Sequence, residues 1–112
     1  MLSLTTTGRR SGLTRSTVVA YLREGDTYFV TAGNLGSERS PAWSLNLEAD
    51  PRAEVEVGGE RFSVRAHPLD GDEAERVWAR LIERVPAVDA FRRLPNREIP
   101  VIALERERGS RP

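Results

Sequence analysis

Apolar and polar positions alternate from the start of the chain. Leu2 and Leu4 flank Ser3, and the β-branched Thr5, Thr6 and Thr7 continue the run, which predicts a strand over Leu2–Thr7. Residues 8–12 (GRRSG) interrupt it as a turn. Thr17, Val18, Val19 and Tyr21 mark a second strand over 15–23, and Glu24-Gly25-Asp26 turns the chain into a third over 27–32. The segment 33–40 (GNLGSERS) is a polar loop ending in Ser40-Pro41, with serine as helix cap and proline at the first helical position. The short helix reads PAWSLNLEAD and stops at Asp50-Pro51. Alternation then returns over 53–57 and 60–66, a hairpin across Gly58-Gly59.

Beyond the hairpin the period changes from two to helical. Ala74, Val77, Trp78, Leu81, Ile82 and Val85 give a longer helix one apolar face, and Asp70 with Glu73 resembles a capping box at its start. Pro86 interrupts this helix, a short helical piece follows over 87–93, and a strand over 99–105 closes the pattern. Hairpins join neighbouring strands and the helices come as insertions rather than crossovers, which argues against a doubly wound parallel sheet. The expected class is α+β, mainly β: an antiparallel barrel of about six strands with two or three helices outside it, closure removing most exposed edges.

Length adds that this is one domain, over 1–105, with the charged end 106–112 as a solvated, disordered tail. No window approaches the roughly 18 apolar residues of a membrane helix. The start lacks signal-peptide character, so the expected location is the cytoplasm. With no cysteine, disulfides, thiolate metal sites and cysteine nucleophiles are excluded. Formal net charge is zero, which argues against nucleic acid as a partner. All 17 basic residues are nevertheless arginine, so each local cationic cluster offers forked donors suited to phosphate and carboxylate.

Two segments stand out chemically. Arg9, Arg10 and Arg15 lie beside Ser11, Gly12, Ser16 and Thr17, where guanidiniums, hydroxyls and an approachable backbone could hold an anion; a basic, solvated turn is the ordinary alternative. The fixed glycine–lysine spacing of a P-loop is absent. The second is the GNLG loop running into the Ser40-Pro41 helix start, whose free N–H groups suit an anion or a polar ring edge, against an ordinary capped helix. Trp43 could stack on a planar ligand, but with Leu47 on the same face it reads as core. His67, the single histidine, reads as a surface residue at a hairpin end. Glu73, Glu75, Arg76, Arg80, Glu83 and Arg84 read as a solvated helix face. No metal-ligand spacing occurs. With so little acid–base machinery, any reaction would depend on a cofactor.

The ordered set TTTGRRSG-x-x-R, then Pro41, Trp43, Asn46, Leu47, Asp50 and Pro51, then Glu75, Arg76 and Trp78, then the terminal strand over 97–105, resembles the deazaflavin-dependent nitroreductase family across nearly the whole chain. The resemblance implies a split β-barrel of the flavin-reductase-like superfamily and binding of coenzyme F420, an 8-hydroxy-5-deazaflavin. It implies a phosphate side at Arg9, Arg10, Ser11, Arg15, Ser16, Thr17, Val18, Val19 and Ala20. It places the deazaflavin against Thr31, Ala32, Gly33 and Asn34, with Ala42, Trp43, Ser44, Leu45 and Asn46 from the helix. The implied reaction is hydride transfer from the reduced deazaflavin to a small electron-poor acceptor: a quinone, an activated alkene or a nitro compound. Alternatives are a non-catalytic F420 carrier, or a split-barrel protein using FMN or haem.

The sequence departs from the family at several points. The tyrosines that nitroreductase members place over the substrate are missing, and Val85, Val88 and Phe91 stand on the substrate side instead. Ala20 replaces a tyrosine on the second strand, and Asn34 a basic residue. Tyr21 and Ser44 are the residual catalytic candidates. Family members carry a segment before the first strand. Here the start is either truncated or minimal, and loss of a leading helix would open one flank and favour a homodimer over a monomer.

Overall fold

The computed structural model of the chain describes residues 1–31, 41–87, 89–90 and 99–107. Its strands are β1 (Leu2–Thr7), β2 (Thr14–Val19), β3 (Leu22–Glu24), β4 (Thr27–Thr31), β5 (Arg52–Val57), β6 (Glu60–Pro68) and β7 (Val101–Arg106), with α1 (Ala42–Ala49) and α2 (Gly71–Arg84) between them. All pair antiparallel in the order β2-β1-β5-β6-β7-β4-β3.

This order forces the sheet to curl. β2 and β3 are its opposite edges, yet only Ala20 and Tyr21 separate them in the chain. Laid flat at about 4.8 Å per strand, the edges would be about 29 Å apart. Three Cα–Cα steps from Val19 to Leu22 span at most about 11 Å. The strand expected over 15–23 is therefore one bent ribbon in two parts. Its first part pairs with β1 (Leu2 opposite Val19) and its second with β4 (Leu22 opposite Phe29). Seven observed strands and about six expected ones are the same barrel, counted on either side of this bend.

Period-two alternation sorts the side chains into two cores. Leu2, Leu4, Tyr28, Val30, Val55, Phe62, Val64, Ile102 and Leu104 fill the curl, and Leu47 of α1 plugs it. On the outer face Leu22, Phe29, Val101 and Ala103 pack under Val77, Trp78 and Leu81 of α2. β4 and β7 are thus buried on both faces, which explains their unbroken apolar runs. The helical stripe stops short of its expected length: Ile82 is half-buried and Val85 is 45% exposed.

Local chemistry corrects two expectations. Pro41 is extended (φ −65°, ψ 151°) and is itself the cap position of α1, so the helix starts one residue later than proline-first spacing implies. Asp70 occupies the cap position of α2 without a side-chain capping bond, because the left-handed Gly71 (φ +56°) turns the chain between cap and helix. Arg76 and Arg80 lie on the solvated helix face as expected, and from there pair with Glu24 on β3, Arg76 at 3.1 Å. They hold the Glu24 carboxyl below its usual range, chiefly through the Arg76 hydrogen bond. The last strand runs on to Arg106, which pairs with Glu60 at 2.8 Å. Ala32, most of the helical piece over 87–93 and residues 108–112 lie outside the described residues.

Candidate functional site

Strand register gathers the candidate residues along one rim of the barrel. Thr7 opposes Thr14, Arg52 opposes Arg65, Pro68 opposes Ile102 and Thr31 opposes Val101. The β1–β2 turn, the end of β6 and the junction of β4 with β7 therefore share that rim, and α1 packs against β1 beside it.

The turn is tightly built. Gly8 N–H donates to the Leu13 carbonyl at 2.8 Å, Gly12 N–H to the Gly8 carbonyl at 2.9 Å, and Leu13 N–H to Ser11 Oγ at 3.1 Å. A Cβ on Gly8 would lie 2.7 Å from Ser11 Oγ and 3.1 Å from the Leu13 carbonyl oxygen, and Gly12 sits at φ +75°. Conformation favours glycine at Gly12, and a side chain at Gly8 would displace the Ser11 hydroxyl from Leu13 N–H and crowd the Leu13 carbonyl.

A buried asparagine ties this turn to α1. Asn46, 3% exposed, accepts from Arg9 N–H at 3.2 Å and from the Arg9 guanidinium at 3.1 Å on the same Oδ1, and its Nδ2 donates to Thr6 Oγ1 at 3.1 Å. Thr6, 2% exposed, is the third inward position of β1 after Leu2 and Leu4. A polar side chain in that register needs a partner, and Asn46 supplies it. This relay fixes Arg9 at the head of a groove of about 260 Å³ lined by Gly8, Arg9, Arg10, Ser11, Arg15, Ala42 and Asn46. Among the described residues no acid lines the groove. The N-terminal end of α1, which carries a partial positive charge, lies against it at Ala42.

Register also separates residues that stand together in sequence. Arg15, Thr17 and Val19 share the face of β2 that opposes Thr6, Leu4 and Leu2, and Arg15 reaches the groove. Ser16 and Val18 point to the other face, where Ser16 Oγ lies 2.6 Å from Thr5 Oγ1 and Val18 is 62% exposed. Ala20 is exposed at the bend, and Tyr21 packs half-buried on the barrel core, its ring 5.5 Å from Tyr28. Thr31 ends β4 at the rim. Trp43 is half-buried against the barrel core, as the core reading of it requires, and Leu45 is half-buried. Ser44 faces a different cavity, across α1 from the arginines. Val85 caps the far end of α2. Ala32, Gly33, Asn34, Val88 and Phe91 lie outside the described residues.

Sequence reasoning missed that second cavity, about 270 Å³, whose walls include Leu47, His67, Pro68 and Ile102. The signal lay in the helix period: Ser44, Leu47 and Glu48 are spaced i, i+3, i+4 and so share one side of α1, while Ala42 and Asn46 share another. Among the described residues no group of His, Asp and Glu could hold a metal, and no helix is long and apolar enough to cross a membrane.

Three comparisons bear on this geometry. An F420H(2)-dependent quinone reductase of Mycobacterium tuberculosis is 37% identical over 110 residues, covering 94% of this chain and 72% of that protein. The solved structure of an F420-H2-dependent reductase, FDR-A, superposes with a TM-score of 0.84 at 30% identity, covering 93% of this chain and 92% of that one. HutZ, the haem storage protein of Vibrio cholerae, has a TM-score of 0.74 at 20% identity over 96% of this chain and 82% of its own, a likeness of fold alone. Residues 1–106 match the family described as F420H(2)-dependent quinone reductase. A curled split-barrel sheet and full-length similarity lead to one conclusion: the chain belongs to the F420H(2)-dependent quinone reductase family.

Proposed function

We propose that this F420-dependent oxidoreductase grips the anionic side of its cofactor in the arginine groove and reduces a quinone-type acceptor at the barrel rim. The observation that carries the reading is the uncompensated charge of the turn. Arg10 and Arg15 converge with Arg9 on one groove and have no ion-pair partner among the described residues; Arg23, Arg65 and Arg84 share that state but are scattered, while Arg52, Arg61, Arg76, Arg80 and Arg106 pair with carboxylates. Forked donors facing a groove with no acid among its described lining residues fit a phosphate. Each charge-assisted bond contributes about 1.5–3 kcal/mol, so two of them correspond to roughly 10²–10⁴ in affinity.

The chain's own share is binding and orientation. Asn46 holds Arg9, the glycines hold the turn, and α1 stands between the cationic groove and the apolar cavity. The reduced deazaflavin, once bound, supplies the hydride. The quinone assignment rests on the family to which the chain belongs and on the apolar walls of that cavity. The substrate-side stretch at Val85, Val88 and Phe91 carries no tyrosine, which favours an acceptor held by shape over one held by phenolic hydroxyls. Fluorescence titration of the purified protein with F420, followed by addition of quinones to the reduced form, tests the proposal. Failure to bind F420 at tens of micromolar would refute it.

A further inference from the structure

Ser44 is 5% exposed, and its hydroxyl has no hydrogen-bond partner among the described residues; its backbone N–H donates to the Pro41 carbonyl at 3.1 Å. Burying a hydroxyl unpaired is costly, and most buried hydroxyls in folded proteins are paired. This one borders the cavity of about 270 Å³ across α1 from the arginines. Leu47 and Ile102 of the barrel core and Pro68 form apolar walls, and Glu48 and His67 stand exposed at the cavity's edge. Charge sorts the two sites. The arginine groove attracts anions, whereas Glu48 makes the cavity unfavourable for a phosphate or carboxylate. What suits it is a flat, neutral, apolar body bearing a carbonyl oxygen.

We propose that this cavity seats the electron acceptor, with the Ser44 hydroxyl donating to a carbonyl oxygen of a quinone-class ligand whose ring lies between Leu47, Pro68 and Ile102. The proposal rests on the reading that the chain reduces a carbonyl-bearing acceptor, and it assigns that acceptor a place and a polar anchor. It also limits size. Pockets that enclose drug-sized ligands run from about 300 Å³ upward, so one or two fused rings fit here and a long alkyl tail must leave past His67 and Glu48. Ser44 is then a specificity residue for the acceptor, distinct from the arginines that select the anionic cofactor.

The test uses full-length, cofactor-free protein and 2-methyl-1,4-naphthoquinone. The chain has no cysteine thiol for the quinone to alkylate. His67 is the single histidine, so one imidazole proton resonance reports on the cavity directly. The expected result is a saturable shift of that resonance and quenching of the protein's tryptophan fluorescence, with Ser44→Ala weakening binding at least fivefold and Ser44→Thr restoring part of it. Because Ser44→Ala removes an unpaired hydroxyl, its melting temperature should hold or rise, whereas a merely structural serine would lower it. Unchanged affinity in Ser44→Ala, or binding that leaves His67 unmoved, would overturn the proposal. So would oxidised F420 that alone reproduces the His67 shift and competes with the naphthoquinone, since the cavity would then belong to the cofactor. Loss of F420 binding with naphthoquinone binding intact would instead count against the arginine groove alone.

Discussion

Replacing Asn46 by alanine removes three hydrogen bonds at once: two from Arg9 and one to Thr6. Net, a neutral bond contributes about 0.5–1.5 kcal/mol and one to a charged group about 1.5–3, an upper sum of roughly 2.5–6 kcal/mol. The Arg9 side chain reaches solvent and recovers part of its share in water. The Thr6 hydroxyl, 2% exposed, cannot. The expected loss is about 2–4 kcal/mol, or roughly 8–17 °C in melting temperature for a domain of this size. Asn46→Asp separates stability from binding. The carboxylate still accepts both Arg9 bonds, and Thr6 can rotate its hydroxyl to donate, so the melting temperature should fall by less than about 5 °C. The added negative charge beside Arg9 should nonetheless weaken F420 binding by about tenfold, equivalent to about 1.4 kcal/mol. Thermal unfolding by circular dichroism and F420 fluorescence titration read the two quantities. An alanine variant melting within about 2 °C of the parent would show that the relay does not hold the turn, and the reasoning would fail.

Arg15→Ala should weaken F420 binding by about tenfold and flatten its salt dependence while leaving the melting temperature unchanged, because Arg15 has no described partner to lose; a lowered melting temperature would contradict this. Glu24→Gln should lower the melting temperature by a few degrees at neutral pH by uncoupling Arg76 and Arg80. The Glu24 carboxyl is depressed in the folded state, so its contribution is complete above the ordinary value of 4.5 and is lost as pH falls through the folded value. Parent and variant melting curves should therefore converge in acid, and a gap that persists there would refute the linkage. Trp78→Ala should cost about 3–5 kcal/mol by emptying the seam between α2 and the sheet; urea unfolding checks this, with a loss below about 1 kcal/mol inconsistent with its burial.

Much of the fold was legible because period two and period 3.6 are read straight from apolar spacing. The strands around Leu2, Leu4, Val55 and Val64 and the α2 stripe at Val77, Trp78 and Leu81 emerge where spacing puts them. The bend at Ala20-Tyr21 was hidden, since both residues continue a strand-like run and only the exchange of partners, β1 for β4, divides it. Helix entry was misread at Pro41 and Asp70 because local signals fix which residue types suit a cap, while neighbouring backbone angles decide whether the cap bond forms. In the candidate site the arginine turn was visible as charge. Alternation at Thr6 hinted at a buried polar contact, but that its partner is Asn46, 40 residues away, depends on how α1 lies against β1. The cavity beside Ser44 combines three distant segments, and no local pattern in any one of them announces it.

The bent ribbon leaves the barrel round by connectivity where it lacks a ladder. β2 and β3 bond to their own neighbours but not to each other, so alternate amides of β2 face a slit rather than a partner strand. With no partner strand for them among the described residues, those amides should exchange with deuterium faster than their neighbours bonded to β1. β1 is held to β5 by its own ladder, so the freedom lies in the edge strand β2, which can twist between Ala20-Tyr21 and the arginine turn while the β1–β5 pairing stays in place. A rigid vessel with one compliant edge can hold its acceptor-facing wall fixed while its cationic lip adjusts to the length of whatever anion it grips.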